Sequence, residues 1–196
     1  MSEDHETRPV VFVAYLHESA HHKDAVMRFA AFLRACGIDA RLDRWSTGGR
    51  QDWYRWALDL IPRAAFVVVI ASPRCRTVGD GQGPPLDNMG GQAEMALLRE
   101  LLQRDRPNWT RKLLPVVLPG STWADIPLFL QGRTADHYQV DDLTPAAAED
   151  LLRVITGQPP YPAPPLGPLI ALPPRESGSH LTEGHETGNT TPVTAR

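Results

Sequence analysis

A continuous apolar run in the middle of the chain constrains the fold more than any other feature. The segment AFVVVIA (65–71) is rich in β-branched residues, has no polar interruption and ends at Ser72-Pro73. Runs of this length and composition are typical of strands that are buried on both faces of a parallel sheet. We therefore predict that residues 65–71 form the central strand of such a sheet.

Shorter apolar segments alternate with helical patterns on either side of this run. Further strands are predicted at 9–15, 38–43, 111–119 and 135–140, and helices at 23–37, 51–64, 91–105 and 145–157. Pro115 lies inside the fourth strand and favours an edge position, because proline lacks the backbone donor. The alternation predicts a three-layer α/β fold with a five-stranded parallel sheet in the order 2-1-3-4-5, a flavodoxin-like topology.

This strand order also locates a candidate binding crevice. Open parallel sheets bind ligands beyond the carboxyl ends of their strands, at the point where the strand order reverses. Here that point lies between strands one and three. The topology therefore brings residues 15–19, the loop 43–50 and the Gly- and Pro-rich loop 72–94 around one crevice.

Composition divides the chain into a core and its extensions. The segment 157–175 has eight prolines among its nineteen residues and is expected to be extended. Residues 176–196 are polar and without an aromatic side chain, so they are predicted to be disordered. We interpret 9–156 as the folded domain and 1–8 as an N-terminal extension.

The charge and the cysteines exclude several functional classes. A net charge of −3 and a pI near 6.1 argue against nucleic-acid binding, which needs a concentrated positive face. No apolar stretch reaches the ~20 residues needed to span a membrane, and the acidic N-terminus is unlike a signal peptide. Cys36 and Cys75 have no disulfide-framework or zinc-site spacing. A cytoplasmic protein is the expectation.

Other candidate chemistries are weak. His17 and His21 have helical i, i+4 spacing, but no third metal ligand is near them in the sequence, so no metal site is predicted. Cys75 is interpreted as an unreactive loop thiol. Trp45, beside a Gly-rich turn, is harder to bury than Trp53 and Trp56, and it is expected to stack on a planar ligand or a partner surface.

Three segments carry a resemblance to a known family. They are FVAYLHES (12–19), GIDARLDRW (37–45) and VVVIASP (67–73). Together they resemble the SEFIR domain, a branch of the Toll/interleukin-1 receptor (TIR) superfamily, over residues 9–156. Ala14 and Leu16 stand where the family's first box has two serines. The resemblance implies a TIR-like fold and two roles: self-association in signalling, and, mostly in bacterial enzymes, destruction of NAD⁺ in immune responses such as antiphage defence.

The resemblance also implies a catalytic carboxylate near the start of the third helix. Glu94 in GGQAEMALLREL is the matching position, although no aromatic residue precedes it. Glu100 is the alternative and is expected to face solvent. Loss of nicotinamide from NAD⁺ needs no proton on the leaving group, so one carboxylate facing the oxocarbenium-like ribose suffices. A first-turn position would keep Glu94 ionised, and the adjacent glycines would admit a nucleotide.

Two hypotheses follow. In the first, the chain is an NAD⁺ glycohydrolase that releases nicotinamide and linear or cyclic ADP-ribose, with NAD⁺ as substrate and no cofactor. Glu94 is then catalytic, and the crevice is lined by Tyr15, His17, Asp43, Trp45 and Ser72. In the second, the chain is a non-enzymatic module that self-associates through the loop 43–50 and the helix 91–105. In both, the activating signal is expected to come from a separate sensor protein or through the C-terminal segments.

Overall fold

The computed structural model describes residues 8–46, 49, 52–132 and 135–175. Strands and helices alternate along most of this chain. The strands are β1 (Val10–Ala14), β2 (Asp39–Arg41), β3 (Phe66–Ile70), β4 (Leu113–Val117) and β5 (Tyr138–Gln139). The helices are α1 (Ala20–Ala35), α2 (Trp53–Leu60), α3 (Pro73–Gly79), α4 (Met89–Arg104), α5 (Arg106–Lys112) and α6 (Glu149–Thr156). Short 3₁₀ turns occur at Asp43–Trp45, Trp123–Asp125 and Leu128–Leu130.

The strands form one parallel sheet in the order β2-β1-β3-β4-β5. The apolar run predicted to be central is β3, which pairs with β1 on one side and β4 on the other. The predicted three-layer α/β fold and its strand order are therefore confirmed. Right-handed crossover connections explain why helices cover both faces of such a sheet.

Alternate residues of each strand enter different hydrophobic cores. On one face, Val11 and Val13 of β1 pack with Val68 and Ile70 of β3 under α1 and α6. On the other face, the intervening strand residues pack under α2, α3, α4 and α5. Because both faces are buried, the central strands show no polar alternation in the sequence.

Helix α3 is a correction to the predicted loop between residues 72 and 90. Ser72 is its N-cap, and the Ser72 hydroxyl accepts a hydrogen bond from the Cys75 backbone N–H at 3.1 Å. Pro73 occupies the first turn, where its missing donor costs nothing. Cys75 is consequently a buried helical residue rather than a loop thiol. Burial raises the pKa of the Cys75 thiol to about 12, which agrees with an unreactive thiol.

Pro115 is tolerated inside the sheet because of its register. The Val117 carbonyl accepts a hydrogen bond from the Val140 backbone N–H, so Val117 faces the β5 side of β4. Pro115, two residues earlier, faces the same side by strand alternation. The β5 ladder begins opposite Val116 and does not reach Pro115. The sheet therefore does not need the backbone N–H that Pro115 lacks. β4 is an inner strand and not the edge strand that this proline favours.

The C-terminal part of the chain forms a separate unit. Contacts divide the chain into Met1–Tyr161 and Pro162–Arg196. No helix or strand is present in residues 158–175, and their apolar side chains are exposed. The predicted disordered tail, 176–196, lies outside the described residues, as do residues 1–7 of the N-terminal extension. Within the described part, no helix is both long and apolar enough to cross a bilayer.

Candidate functional site

A cavity of about 400 Å³ lies at the carboxyl end of β1, at the predicted reversal of strand order. Its walls come from the end of β1, the turn after β2, the first turns of α2 and the start of α4. Its volume is within the range of small-molecule sites, roughly 300–1,000 Å³. The lining residues are Phe12, Val13, Tyr15, His17, Asp43, Arg44, Trp53, Trp56, Asn88, Met89, Gly90, Gly91 and Glu94.

The Asp43 carboxylate is held by contacts to both of its oxygens. Oδ1 accepts hydrogen bonds from the Tyr15 hydroxyl at 3.0 Å and from the Arg44 backbone N–H at 2.7 Å, and Oδ2 lies 3.1 Å from Nε2 of His17. Burial, followed by the charge of Asp43, raises the pKa of the Tyr15 hydroxyl, so Tyr15 remains a donor. Three residues that the sequence predicted at the crevice, Tyr15, His17 and Asp43, are thus brought into contact.

Glu94 lines the same cavity from α4. It is in the second turn of the helix rather than the first, because α4 begins at Met89. Burial, and after it the negative charge of Asp43, raises the pKa of Glu94 to about 8. The expectation that the helix terminus keeps this carboxyl ionised is therefore wrong. A carboxyl group facing a narrow cavity keeps some solvent-exposed surface and still loses most of its hydration.

Aromatic rings form a second wall. The rings of Trp53 and Trp56 meet edge to face with centroids 6.0 Å apart, and the Trp56 ring lies 5.2 Å from that of Phe12. Trp56 packs against the core, whereas Trp53 is 43% exposed. The expected apolar face of α2 is thus carried by Trp56, and Trp53 is left at the cavity mouth.

Positive charge is scarce at the cavity. Among the described residues that line it, Arg44 is the only arginine or lysine, and its guanidinium pairs with Asp24 at 3.1 Å. Asp43 and Glu94 contribute acidic groups. Aromatic rings also present a negative face to cations. The cavity is therefore suited to a planar group that carries a positive charge.

Ala14 and Leu16 stand where the family's first box has two serines, and Leu16 explains why a glycine follows at position 91. Ala14 and Leu16 are both buried in the core beneath α4. A Cβ atom placed on Gly91 would lie 2.2 Å from Cδ1 of Leu16, so any larger residue here requires the buried Leu16 side chain or the helix to shift. Gly90 meets no such neighbour within 4 Å. The predicted role of the glycines in admitting a nucleotide is thus not needed to explain Gly91.

Two predicted crevice residues lie elsewhere. Ser72 is 1% exposed, caps α3 and does not line the cavity. Trp45 lines a separate cavity of about 660 Å³, and its ring lies 5.8 Å from the guanidinium of Arg34. Glu100 is exposed and lies 3.8 Å from Arg104, so its predicted position on the solvent side of the helix is confirmed.

Sequence reasoning missed several residues of the cavity. The sequence predicts Phe12 only as a strand residue and Asn88 only as part of a loop. A signal for Asn88 exists in the sequence, since Asn directly before a helix is a common N-cap. Arg44, next to Asp43 in the turn after β2, carries no comparable signal.

Comparison with known proteins decides the family. The SEFIR domain profile matches residues 9–151. The chain belongs to the SEFIR family. It is a SEFIR/TIR-like signalling domain, as the three sequence segments indicated.

One solved structure supports the same fold, and a second is similar in sequence. A prokaryotic SEFIR domain crystal structure is 24% identical, with a TM-score of 0.57, and the match covers 82% of this chain and 99% of that chain. The SEFIR domain of IL-17 receptor B is 21% identical, with a TM-score of 0.48 and coverage of 75% and 96%. No curated protein matches the chain.

Proposed function

We propose that this SEFIR domain hydrolyses NAD⁺ at the bond between nicotinamide and ribose. The observation that carries the proposal is the cavity in which Glu94 and Asp43 face a wall of aromatic rings. The nicotinamide ring of NAD⁺ is planar and positively charged while it is bonded to ribose. Stacking on Trp53 and attraction to acidic side chains both favour that ring over neutral or anionic groups.

The proposed reaction needs only water as co-reactant. The bond between ribose C1′ and the ring nitrogen breaks, and its electron pair stays on nitrogen, which gives neutral nicotinamide. The positive charge passes to an oxocarbenium-like ribose, which the ionised Glu94 carboxylate stabilises. Water then adds to C1′, and its proton passes to Glu94 and on to solvent. The product is ADP-ribose.

The raised pKa of Glu94 fits this role. A carboxyl whose pKa is about 8 holds its proton at neutral pH in the free protein. Entry of a cationic ring favours the ionised form, since opposite charges attract most strongly where water is excluded. A group with a pKa near the working pH can both accept and return a proton.

Asp43, Tyr15 and His17 would position the substrate rather than react with it. Both oxygens of Asp43 already have protein contacts, so this carboxylate is fixed in place. A fixed negative charge near Glu94 attracts the pyridinium and costs no reorganisation when it binds. The unused acceptor capacity of the Asp43 carboxylate suits a ribose hydroxyl.

Self-association is a second candidate function, and exposed apolar side chains favour it. Trp53 and Met89 stand at the cavity rim, and Tyr54 and Leu86 beside them in sequence are also exposed. Exposed apolar groups of this kind are typical of interaction surfaces. The predicted interface, the loop 43–50 with the helix 91–105, adjoins this rim, although residues 47, 48 and 50 lie outside the described part. Assembly and catalysis are compatible, and a separate sensor protein would promote assembly.

Incubation of the purified full chain with NAD⁺ tests the proposal. Chromatography should resolve nicotinamide and ADP-ribose in equal amounts, with a rate per molecule that rises with protein concentration if assembly is required. Absence of nicotinamide release at protein concentrations where light scattering shows assembly would leave self-association as the function.

A further inference from the structure

We propose that Asn88 is a substrate-binding residue whose side-chain amide donates a hydrogen bond to the carboxamide oxygen of the nicotinamide ring. The inference rests on the proposed function, because it takes nicotinamide as the group that enters the cavity. It adds a residue that recognises the ring substituent, in addition to the acidic and aromatic groups that recognise the ring itself.

The environment of Asn88 is the first observation. Asn88 lines the cavity and occupies the N-cap position of α4, but its side chain makes no capping hydrogen bond. Its Nδ2 atom is buried and has no hydrogen-bond partner among the residues that the structure describes. Buried donors are nearly always paired, so an unpaired donor in a residue that lines a cavity points to an acceptor supplied by a ligand, which the amide would reach by turning toward the cavity.

The backbone at Asn88 is the second observation. Its φ of 50° and ψ of 44° are left-handed, a conformation that Asn adopts more readily than most residues. In this conformation Asn88 lies on the cavity lining at the start of α4. Gly91 leaves room for the amide, because a Cβ there would lie 3.2 Å from Oδ1 of Asn88.

The other groups of the cavity identify the acceptor. Asp43 and Glu94 can accept hydrogen bonds from ribose hydroxyls, whereas a carbonyl oxygen can only accept and needs a donor. The Tyr15 hydroxyl already donates to Asp43, so it is not free for this contact. The carboxamide oxygen of nicotinamide is a carbonyl attached to the planar cation that the cavity favours.

Asn88 and Glu94 line the cavity from different turns at the start of α4. Asn88 and Glu94 are separated by six positions, which is about 9 Å along a helix axis at about 1.5 Å per residue. Each side chain extends into the same cavity. In the proposed pose the carboxamide lies at Asn88 and the ribose-bearing nitrogen points toward Glu94.

The variant Asn88→Gly tests the contact without straining the backbone, since glycine accepts a left-handed conformation. Leu86→Gly is the matched control: Leu86 also has a positive φ, of 70°, but it is 84% exposed and does not line the cavity. Both substitutions give the loop the same added freedom, and only one removes the amide donor.

Calorimetry on the full chain carrying Glu94→Gln measures binding without turnover. The probes are NAD⁺, the 3-acetylpyridine analogue, which keeps the carbonyl, and the pyridine analogue, which lacks it. Asn88→Gly should weaken binding of the first two about tenfold or more and leave the third unchanged. Leu86→Gly should change none of them by more than about twofold.

Three results would overturn the inference: equal weakening for all three probes, no weakening for any, or no binding of NAD⁺ at all. Binding that depends on the carbonyl in a protein that never releases nicotinamide would support the inference and refute the proposed hydrolysis. Hydrolysis whose kcat/KM is unaffected by Asn88→Gly would support the proposed hydrolysis and refute the inference about Asn88.

Discussion

Asp43 and Glu94 place two carboxyl groups on the wall of one cavity, and burial together with the Asp43 charge raises the pKa of Glu94 to about 8. The two groups differ in their surroundings. Asp43 has hydrogen-bond donors on its oxygens, whereas Glu94 has mainly lost hydration. A carboxyl group with a raised pKa can exchange its proton near neutral pH, which suits a residue that acts during the reaction.

The first prediction concerns the pH dependence of NAD⁺ hydrolysis. Because the reactive form of Glu94 is ionised, kcat/KM should rise with pH and level off above about 8, the pKa of Glu94 in the free protein. The profile of kcat should level off at lower pH, since bound pyridinium favours the carboxylate. Initial rates of nicotinamide release across pH 5.5–9.5 measure both.

Asp43→Asn serves as the matched variant in that experiment. It removes the charge that helps to raise the pKa of Glu94 but keeps an oxygen that can accept from Tyr15. The pH at the midpoint of the kcat/KM profile should fall. It should remain above 4.5, the ordinary pKa of a glutamate side chain, because burial contributes more than Asp43 to the raised pKa of Glu94. A flat profile, or a midpoint that does not move in Asp43→Asn, would contradict the assignment to Glu94.

The second prediction concerns stability. Between about pH 4.5 and pH 8 the unfolded chain has released the Glu94 proton that the folded chain still binds, so this residue lowers stability as pH rises. Gln at this position carries no such proton. The free energy of unfolding of Glu94→Gln should therefore exceed that of the parent at pH 8.5 by on the order of 1–3 kcal/mol, allowing for solvent in the cavity, and by little at pH 4.5.

Urea unfolding at the two pH values measures this difference. Glu100→Gln is the control, because Glu100 is exposed and its substitution should change stability by no more than about 0.5 kcal/mol at either pH. A Glu94→Gln protein that is less stable than the parent at pH 8.5 would show that the carboxylate is favourably bonded in the folded state.

Most of the sheet and part of the site were predictable from the sequence, for a physical reason. Apolar runs fix the strands, and the strand order places Tyr15 and Asp43 at neighbouring carboxyl ends, with the start of α4 opposite. Ser72 is predicted at the crevice, but its side chain caps α3. This helix lies in a segment whose Gly and Pro content predicts a loop. Short helices of this kind depend on capping and tertiary packing more than on intrinsic propensity.

The position of Glu94 in the second turn of α4 and its raised pKa were also not predictable. Two glycines near the start of α4 argue against helix there, and at Gly91 the close contact with Leu16 in the folded state favours glycine. The helix therefore begins earlier than its propensity indicates, and Glu94 moves from the first turn to the second. Its raised pKa depends on neighbours distant in sequence, such as Asp43, which no local pattern reveals.

The third prediction follows from the contact between Leu16 and Gly91. Gly91→Ala should destabilise the protein by about 1–3 kcal/mol, because the added methyl overlaps a fully buried leucine. In a Leu16→Ala background the same change should cost at least about 1 kcal/mol less, since the space is then open. Thermal and urea unfolding of the four proteins in this cycle measure the coupling.

Gly90→Ala is the control for this cycle. A Cβ at Gly90 meets no atom within 4 Å, so alanine there should be neutral or stabilise α4 by up to about 1 kcal/mol. Additive effects of Leu16→Ala and Gly91→Ala would mean that α4 does not require glycine for its approach to β1.

The fourth prediction concerns self-association at the cavity rim. Tyr54 is 53% exposed on α2 and does not line the cavity, so Tyr54→Glu places a charge on the proposed interface without altering the binding site. Light scattering over a range of protein concentrations should show assembly of the parent and a shift of at least tenfold to higher concentration for the variant.

Tyr161→Glu makes the same chemical change at another exposed tyrosine, outside α2, and should assemble as the parent does. If Tyr54→Glu assembles at the parent concentration, the rim is not the interface. If both variants lose assembly equally, net charge rather than this surface controls it.

The comparison of Glu94→Gln with Glu100→Gln tests the central proposal most directly. Both residues lie on α4, but Glu94 lines the cavity and Glu100 is exposed. Nicotinamide release from NAD⁺ at pH 8 should fall a hundredfold or more in Glu94→Gln, because no charge then stabilises the oxocarbenium, and should stay near the parent rate in Glu100→Gln. Release at the parent rate by a folded Glu94→Gln protein would contradict the account.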